Sequence, residues 1–278
     1  MVMKGHSTEC RESCTLTEGL PATTATRFVD LHCHCLPNLD DGPDSVEGAV
    51  ALCRALVDDH VCTVVATPHQ LGQFEMRTSA KRIRLTTEIL SRELAARGID
   101  LRVLPGAEVR LDERLDRMLA EEEILTLADM KRHVLVELPH DVFIDIGPLV
   151  LELRSRGIDL VIAHPERNGA LLGQRRVLQR WLDCGVALQV TAASLTGDFG
   201  PQAERAAWRL IAEGWATMVA TDAHNHRADR PRMTAAFELI SAGFGRNLAL
   251  LLCVDNPSRV VRGKRPVPVS TRCRQEVW

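Results

Sequence analysis

The sequence predicts an α/β fold in which seven strands alternate with seven helices to form one distorted (β/α)7 barrel of the TIM-like type. Two observations lead to this prediction. Short apolar runs of β-type residues alternate with longer helical patterns, which is typical of a parallel sheet with helical crossovers. The 278 residues also show no compositional break, so a single domain is expected. A doubly wound open sheet is the structural alternative that the same alternation allows.

The predicted strands are short apolar runs, and most of them end beside a histidine or an acidic residue. In chain order they cover residues 28–32, 61–67, 101–108, 133–138, 160–164, 186–191 and 217–221. Their apolar stretches are far shorter than the roughly 20 residues that a helix needs to span a bilayer. No membrane insertion is therefore expected.

The predicted helices fill the intervals between these strands. They cover residues 45–58, 79–97, 112–122, 146–156, 174–184, 202–213 and 232–242. Asp44 is expected to cap the first helix, with Glu47 three residues later completing a capping box. The barrel domain is predicted over residues 28–262. Residues 1–27 are expected to form a flexible arm and residues 263–278 an irregular tail, because neither segment carries a sustained period.

The composition argues against several classes of function and location. The chain carries 34 basic and 37 acidic side chains, a net charge of −3, and only 4% aromatic residues. It therefore lacks the positive surface and the aromatic platforms that nucleic-acid binding requires. The nine cysteines are odd in number and scattered, and the N-terminus lacks the apolar stretch of a secretory signal. Free thiols in a reducing cytoplasm are the expected state.

Histidine and carboxylate side chains recur where the predicted strands end. These positions are His32, His34, His69, Glu108, Glu137, His164, Asp222 and His224. Active sites of such barrels lie at the carboxyl ends of the strands, so residues far apart in sequence are expected to converge there. Imidazole and carboxylate ligands together suit Mn²⁺, Fe²⁺ or Zn²⁺. One such histidine alone would more often be structural, but the recurrence predicts a metal site.

The spacing within the first of these motifs assigns its residues to opposite faces. Side chains two apart on a strand share a face, so His32 and His34 are expected to point together toward the barrel mouth. Cys33 and Cys35 alternate with them and are expected to pack toward the helices instead of binding zinc. Asp222 and the histidine two residues later follow the same rule.

Two arginines lie close to these motifs in the sequence. Arg167 follows His164 by three residues, and Arg230 follows His224 by six. A guanidinium beside metal ions is suited to bidentate binding of phosphate oxygens. For either arginine alone, a surface salt bridge is the alternative.

A second phosphate-binding motif is present but disfavoured. Cys253 and Arg259 have the C-x5-R spacing of thiol-dependent phosphatases. Asp255 would repel a dianion there, and Pro257 lacks the amide proton that a phosphate loop needs. Asn256 is instead expected to cap a helix that begins at Pro257.

Taken together, these motifs resemble the polymerase-and-histidinol-phosphatase (PHP) superfamily. More narrowly, they resemble the bacterial manganese-dependent protein-tyrosine phosphatases of capsular and exopolysaccharide biosynthesis. The resemblance covers about residues 28–262 and rests on the stretches DLHCH, DDGP, ATPH, PGAE, VIAHPERN, TAASLTGDFG and TDAHN, in this order. The DDGP and SLTG segments and the loop HN…RP are the most specific to this branch.

The resemblance implies a distorted (β/α)7 barrel with three divalent metal ions, with Mn²⁺ expected and Fe²⁺ or Zn²⁺ possible for the same ligands. It implies that His32, His34 and Asp222 bind one ion, which Glu108 bridges to a second. It further assigns ligands as follows: Glu137 and His164 to the second ion, and Asp41, His69 and His224 to the third. Arg167 and Arg230 match the family's phosphate-binding arginines.

The activity that the resemblance implies is hydrolysis of phosphotyrosine by attack of a hydroxide that bridges two metal ions. The expected substrate and partner is a phosphotyrosyl protein, namely a bacterial tyrosine kinase of polysaccharide export. Two alternatives stay open. The chain could be a small-molecule phosphomonoesterase similar to the histidinol phosphatases, or a non-catalytic regulatory partner of the kinase.

Overall fold

The computed structural model describes residues 26–140, 142–227 and 231–269. The predicted arm therefore lies almost entirely outside the described residues, as does the end of the predicted tail. Within the described residues the chain forms a mixed α/β fold with parallel sheets. No helix of the described segments is both long and apolar enough to cross a membrane.

The described residues contain nine strands, which confirm the seven predicted runs and add two interruptions. They are β1 (Phe28–Cys33), β2 (Val61–Ala66), β3 (His69–Gln70), β4 (Arg102–Pro105), β5 (Glu108–Arg110), β6 (His133–Glu137), β7 (Asp159–Ala163), β8 (Ala187–Thr191) and β9 (Met218–Ala220). The run predicted over 101–108 is thus two strands, and β3 follows β2 after a short break. Pro105 and Pro68 lie at these breaks, where a residue without an amide hydrogen cannot donate to the sheet.

The described helices confirm all seven predicted helices. They are α1 (Val46–Asp58), α2 (Ala80–Ala96), α3 (Leu115–Ala120), α4 (Gly147–Ser155), α5 (Gly169–Leu172), α6 (Arg175–Asp183), α7 (Ala192–Leu195), α8 (Gly200–Ala212), α9 (Met233–Phe244), α10 (Arg246–Leu250) and α11 (Asn256–Val260). A turn of π-helix over Leu251–Asp255 connects α10 to α11. The short helix expected to begin at Pro257 is confirmed as α11. The short α5, α7 and α10 escaped prediction because four or five residues carry too little periodicity.

Two predicted helix caps are wrong. Ser45, not Asp44, caps α1, because the Ser45 side chain accepts a hydrogen bond from the Gly48 amide at 3.2 Å. Asn256 caps no helix, since the chain runs through the π-turn directly into α11 and leaves no free helix start. Its buried side chain instead bonds the backbone of Thr217 at 2.8 Å and that of Val267 at 2.7 and 2.9 Å. It therefore fastens the segment after α11 to the sheet.

All strand pairs are parallel and belong to two sheets, with the orders β1-β2-β4 and β3-β5-β6-β7-β8-β9. The first and last strands also meet. Cys33 at the end of β1 forms a parallel bridge with Ala223, just after β9. The amide of His34 donates to the Ala223 carbonyl at 2.9 Å, and the amide of Asp222 donates to the His32 carbonyl at 2.7 Å. The two motifs that carry HxH and DxH therefore lie side by side.

An irregularity in β1 sets the direction of its side chains. The pairing register between β1 and β2 shifts between Asp30 and Cys33. Leu31 packs in an inner apolar cluster with residues of β2, β6 and β7, whereas Cys33 packs in the larger cluster that includes the helices. Such a bulge re-aims the residues that follow it. Cys33 and Cys35 are both buried in the larger cluster, which confirms their predicted role as packing residues.

Candidate metal centre

The structure brings the predicted histidines and carboxylates together at the carboxyl ends of the strands. The potential ligand atoms form three groups, and the atoms within each group all lie within 4.8 Å of one another. The groups are His32, His34 and Asp222; His34, Asp41, His69 and His224; and His69, Glu108 and Glu137. His164 belongs to none of them but contacts Glu108, with its Nε2 2.8 Å from Oε1. All nine predicted metal ligands therefore lie in one connected site.

The first group is the most deeply buried part of the site. The Nε2 atoms of His32 and His34 lie 3.2 Å apart, and Asp222 Oδ1 lies 3.1 and 3.5 Å from them. Glu108 Oε2 is 3.3 and 3.4 Å from the same two nitrogens. Two imidazoles and two carboxylates thus direct ligand atoms into one small volume.

The hydrogen bonds of these histidines show that their Nε2 atoms fit a metal ion. His32 Nδ1 lies 2.8 Å from Gln189 Oε1, and His34 Nδ1 lies 2.6 Å from Asp40 Oδ2. Because each of these oxygens accepts the Nδ1 hydrogen, each neutral ring directs its Nε2 lone pair toward the other ring and toward the carboxylates. With both rings in this neutral form, four electron donors converge without a hydrogen between them, and such a donor set suits a divalent metal.

The electrostatics of the site point the same way. Burial alone would lower the pKa of His34, but the Asp40 carboxylate and the contacts with Asp222 raise it well above its ordinary value. Burial alone would raise the pKa of Glu108, but His32 and His164 hold it well below its ordinary value. The carboxylates therefore stabilise positive charge beside the rings, a charge that ring protons carry in the absence of metal and that a metal ion would carry in their place.

Glu108 is the central carboxylate of the site. Its Oε2 faces His69 Nδ1 at 3.0 Å in addition to the two buried histidines, and its Oε1 faces His164. His69 Nδ1 is also 4.0 Å from Glu137 Oε2. A carboxylate that offers its two oxygens to different ligand groups has the geometry of a bridging ligand.

The outer group is more exposed. Asp41, whose side chain is 49% exposed, places Oδ1 3.6 Å from His69 Nε2 and 3.5 Å from His224 Nε2. The rings of His34 and His224 stack with their centroids 4.0 Å apart. The contacts with Asp41 and Glu108 outweigh the burial of His69 and raise its pKa to about 10. His69 thus presents one nitrogen to each of two ligand groups.

Two site residues have left-handed backbone conformations that side chains rarely adopt. Asp222 has φ 53° and His164 has φ 33°. Such conformations cost on the order of 1–3 kcal/mol each and persist where the surrounding structure enforces them. No local pattern predicts them, because neither residue is a glycine.

Sequence reasoning missed the residues that orient the histidines. Asp40 binds His34 Nδ1 and also accepts the amides of His69 at 3.0 Å and Gly42 at 3.1 Å. Gln189 binds His32 from the middle of β8. A detectable signal existed for Gln189, since it is a polar residue inside an otherwise apolar strand. Asp40 was missed because the resemblance assigns the ligand role in the DDGP segment to its neighbour Asp41.

Replacing Asp40 with Asn should weaken metal binding by roughly 10–100-fold, because a neutral acceptor makes His34 a less basic ligand. Titration of metal-free protein with Mn²⁺ would measure this loss, and saturating Mn²⁺ should restore most activity. Asp44→Asn, an exposed change four residues away, is the matched control. Equal Mn²⁺ affinity in Asp40→Asn and Asp44→Asn would contradict the prediction.

Arg167 lies at the edge of the centre. Its guanidinium contacts the Asp222 carboxylate and lies over the Phe199 ring, 4.6 Å from the centroid. Its buried Nε–H has no hydrogen-bond partner among the described residues. A buried donor of this kind is available to an oxygen of a bound anion. Arg230, the second predicted phosphate ligand, lies outside the described residues.

The thiol-based alternative does not form a site. Cys253 is fully buried, and burial raises its thiol pKa well above the ordinary value. Arg259 donates from Nε to the backbone oxygen of Arg265 at 2.7 Å. A buried thiol of high pKa is inert as a nucleophile.

Comparison with known proteins finds close relatives. The sequence model of the family described as capsular polysaccharide synthesis, CpsB/CapC, matches residues 28–262. The tyrosine-protein phosphatase YwqE of Bacillus subtilis (strain 168) is 33% identical over 252 residues, which are 88% of this chain and 98% of YwqE. The tyrosine-protein phosphatase CpsB of Streptococcus pneumoniae is 30% identical over 244 residues, which are 84% of this chain and 98% of CpsB.

Solved structures give the same picture. A structure from work on YwqE and CpsB as "unique metal-dependent tyrosine phosphatases" superposes with a TM-score of 0.81 at 31% identity, over 87% of this chain and 99% of that chain. A β-aspartyl dipeptidase of Fervidobacterium islandicum AW-1 superposes with a TM-score of 0.55 at 14% identity, over 87% of this chain and 75% of that chain. The second likeness concerns the fold alone.

Proposed function

The chain belongs to the capsular polysaccharide synthesis family CpsB/CapC, and from this membership we infer that it is a metal-dependent protein-tyrosine phosphatase. The relatives YwqE and CpsB are named tyrosine-protein phosphatases and align over nearly their whole length. A structure described as that of a metal-dependent tyrosine phosphatase has the same fold. The proposed substrate is a phosphotyrosyl protein, namely a tyrosine kinase of polysaccharide export.

One observation carries the proposal: the Nε2 lone pairs of His32 and His34 converge with the Asp222 and Glu108 carboxylates, beside a guanidinium with a free donor. The first part of this arrangement suits divalent cations, and the second suits a phosphoryl oxygen. Buried polar atoms of a folded protein are mostly hydrogen-bonded, so converging lone pairs beside an unpaired N–H favour a ligand site.

The proposed centre holds three divalent ions, with Mn²⁺ favoured. The proposed ligands are His32, His34 and Asp222 for one ion, Glu137 and His164 for a second that shares Glu108 with the first, and Asp41, His69 and His224 for the third. When bound, such ions activate a water molecule as the nucleophile and neutralise charge on the phosphoryl oxygens. The contacts of Glu108 Oε2 and Oε1 with histidines on opposite sides support its bridging role.

The other residues of the site orient these ligands and bind the phosphate. Asp40 and Gln189 fix the rings of His34 and His32 by accepting their Nδ1 hydrogens. Arg167 holds Asp222 and offers its free Nε–H to the phosphoryl group. Arg230 is proposed as the second phosphate ligand on the strength of the resemblance. A phenol is a good enough leaving group to need little help from a general acid.

We propose further that the two sheets form one distorted seven-stranded barrel over residues 28–262. We treat β2 and β3 as two halves of one interrupted barrel strand, and β4 and β5 as two halves of the next. The pairing supports this, because β2 pairs with β4 and β3 pairs with β5, both in parallel. The bridge between Cys33 and Ala223 supports closure between the first and last strands. The cysteines at positions 33, 35, 53, 62, 184 and 253 are free thiols, which supports a cytoplasmic location.

Chelation should abolish hydrolysis of a phosphotyrosyl peptide, and Mn²⁺ should restore it, because the reaction depends on the metal centre. Cys253→Ser should keep near-normal turnover, since that thiol is buried away from the centre. Phosphate release from the peptide, measured before and after chelation, tests both statements. An inactive Cys253→Ser together with full activity in chelator would overturn the metal-dependent mechanism.

The same assay separates the alternatives. A small-molecule phosphatase would hydrolyse histidinol phosphate with a higher kcat/KM than the peptide. A non-catalytic partner would bind the kinase without releasing phosphate when Mn²⁺ is present.

A further inference from the structure

A cavity of about 120 Å³ adjoins the metal centre. It is lined by His69, Leu71, Gln73, Phe74, Arg110 and Glu137. His69 and Glu137 belong to the proposed ligand set, so the cavity opens directly onto the centre. The remaining lining residues have no role in the function described above.

Arg110 is the cation of this cavity. It follows Glu108 by two residues on β5 and therefore lies on the same face, about 6–7 Å farther along the strand. Its Cα pairs in register with that of Glu137. The side chain is exposed and forms no hydrogen bond or ion pair with any described residue. Arg110 therefore adds an uncompensated positive charge at the rim of the centre.

Two of the acidic residues nearby are already neutralised by another arginine. Arg114 binds Glu75 at 2.9 and 3.1 Å and Asp112 at 2.9 Å. Glu75 is the residue directly after Phe74, and Asp112 follows Arg110 by two. These two carboxylates pair with Arg114 and leave Arg110 free for a ligand.

The backbone beside Arg110 is held in an unusual conformation. Leu71 has φ 71° and ψ 177°, a region that is essentially restricted to glycine, and Gly72 has φ 65°. A Cβ on Gly72 would lie 3.0 Å from Arg110 Cδ. The loop thus gives the arginine stem a close contact surface that a larger residue at position 72 would obstruct. Strain of this kind is concentrated at functional sites.

Phe74 supplies an aromatic wall to the same cavity. Its ring is half-buried and nearly parallel to the His69 imidazole, with an interplanar angle of 4° and centroids 5.6 Å apart. An aryl group whose phosphate lies at the centre beside His69 would pass along this wall. Offset stacking of aromatic rings is favourable beyond the area that it buries.

We propose that this cavity is a subsite for the substrate polypeptide, in which Phe74 packs against the phosphotyrosyl ring and Arg110 binds the carboxylate of an Asp or Glu beside the phosphotyrosine. The inference rests on the proposed function and adds the class of sequence that the enzyme prefers. Arg110 is assigned to the flanking residue and not to the phosphate because it lies about 6–7 Å beyond the central ligand Glu108 along β5. The phosphoryl oxygens already have Arg167 as a donor.

Three phosphotyrosyl peptides that differ only in their flanking residues (Glu, Ala or Lys) test the subsite. With Mn²⁺-loaded wild type, kcat/KM should be about fivefold higher for the Glu peptide than for the Ala peptide, the scale of one solvent-screened charge pair. The preference should vanish in Arg110→Ala and shift to the Lys peptide in Arg110→Glu. It should also weaken at high salt.

Arg102→Ala is the matched control, because Arg102 is an exposed residue at the amino end of β4, whereas the centre lies at the carboxyl ends of the strands. This variant should keep the wild-type preference. A preference that survives in Arg110→Ala, or an equal loss on all three peptides, would overturn the subsite. If wild type hydrolyses the peptides without a preference for Glu, the subsite is refuted and the proposed function stands. If wild type hydrolyses none of the peptides, the proposed function is refuted as well.

Discussion

Glu108→Gln is expected to lose bound metal and to lower kcat/KM by at least about 10³-fold, equal to roughly 4 kcal/mol of transition-state stabilisation. Gln keeps the shape of the side chain but removes its charge and one of its two acceptor oxygens. Glu108 Oε2 lies within 3.0–3.4 Å of three histidine nitrogens, and Oε1 lies 2.8 Å from a fourth. No other carboxylate of the described site contacts so many candidate ligands, so its loss should affect two ions together.

Metal analysis of anaerobically purified and Mn²⁺-reconstituted protein measures the first effect, and hydrolysis of a phosphotyrosyl peptide measures the second. Glu88→Gln, an exposed change on α2, controls for the loss of one negative charge. Circular dichroism would establish that the Glu108→Gln protein is folded. An unchanged metal content in the folded variant would refute the bridging role of Glu108.

The positions of eight of the nine proposed ligands could be predicted because each lies at or just after a strand end, whereas Asp41, in the loop before α1, was assigned from the resemblance. An apolar run such as that before His164 predicts a buried parallel strand, and the carboxyl ends of parallel strands meet on one side of the sheet. The seven strand and seven helix runs were therefore enough to place His32, His69 and Asp222 in one site. Side-chain period alone also separated Cys33 from its neighbouring histidines.

The remaining features depend on contacts that no local pattern encodes. The bulge in β1 arises from how Asp30 is placed, since its buried carboxylate accepts the amides of His32 at 3.2 Å and Thr221 at 2.9 Å. Thr221 is 191 residues from Asp30 in the sequence, so no local pattern indicates that contact. In the same way, the roles of Asp40 and Gln189 follow from the orientation of imidazole rings, which only the folded chain defines. The cap at Ser45 instead of Asp44 is a displacement by one residue, within the usual uncertainty of helix ends.

The cavity beside the centre is a second feature that the sequence alone does not predict. The sequence motif around Glu108 predicted a ligand and gave no reason to consider the arginine two residues later. Only the register with Glu137 and the folding of the loop around Gly72 beside the arginine stem place Arg110 at the rim. Residues that select a substrate lie on such rims and depend on loop conformation, so they are harder to predict than the ligands.

Arg167→Lys is expected to keep its metal ions while kcat/KM falls on the order of 10²-fold. This fall corresponds to a loss of roughly 2–3 kcal/mol of transition-state stabilisation. Lysine retains the positive charge but cannot contact Asp222 and a phosphoryl oxygen through separate N–H groups in one plane. The ring of Phe199 also favours a flat guanidinium at this position. Arg230→Lys is expected to behave similarly and to affect kcat more than KM, as its place after the DxH motif indicates.

The division between kcat and KM identifies when the Arg167 contact acts. A contact made equally with bound substrate and with the transition state would raise KM alone, whereas one that tightens as charge moves onto the phosphoryl oxygens would lower kcat. Because the Arg167 Nε–H is buried and has no partner among the described residues, the donor is already in place before the substrate binds, and a fall in kcat is expected. Steady-state kinetics on a phosphotyrosyl peptide, with metal content verified, measure both constants. Arg176→Lys, an exposed change on α6, should match wild type; if Arg167→Lys also matches it, Arg167 does not bind the phosphate.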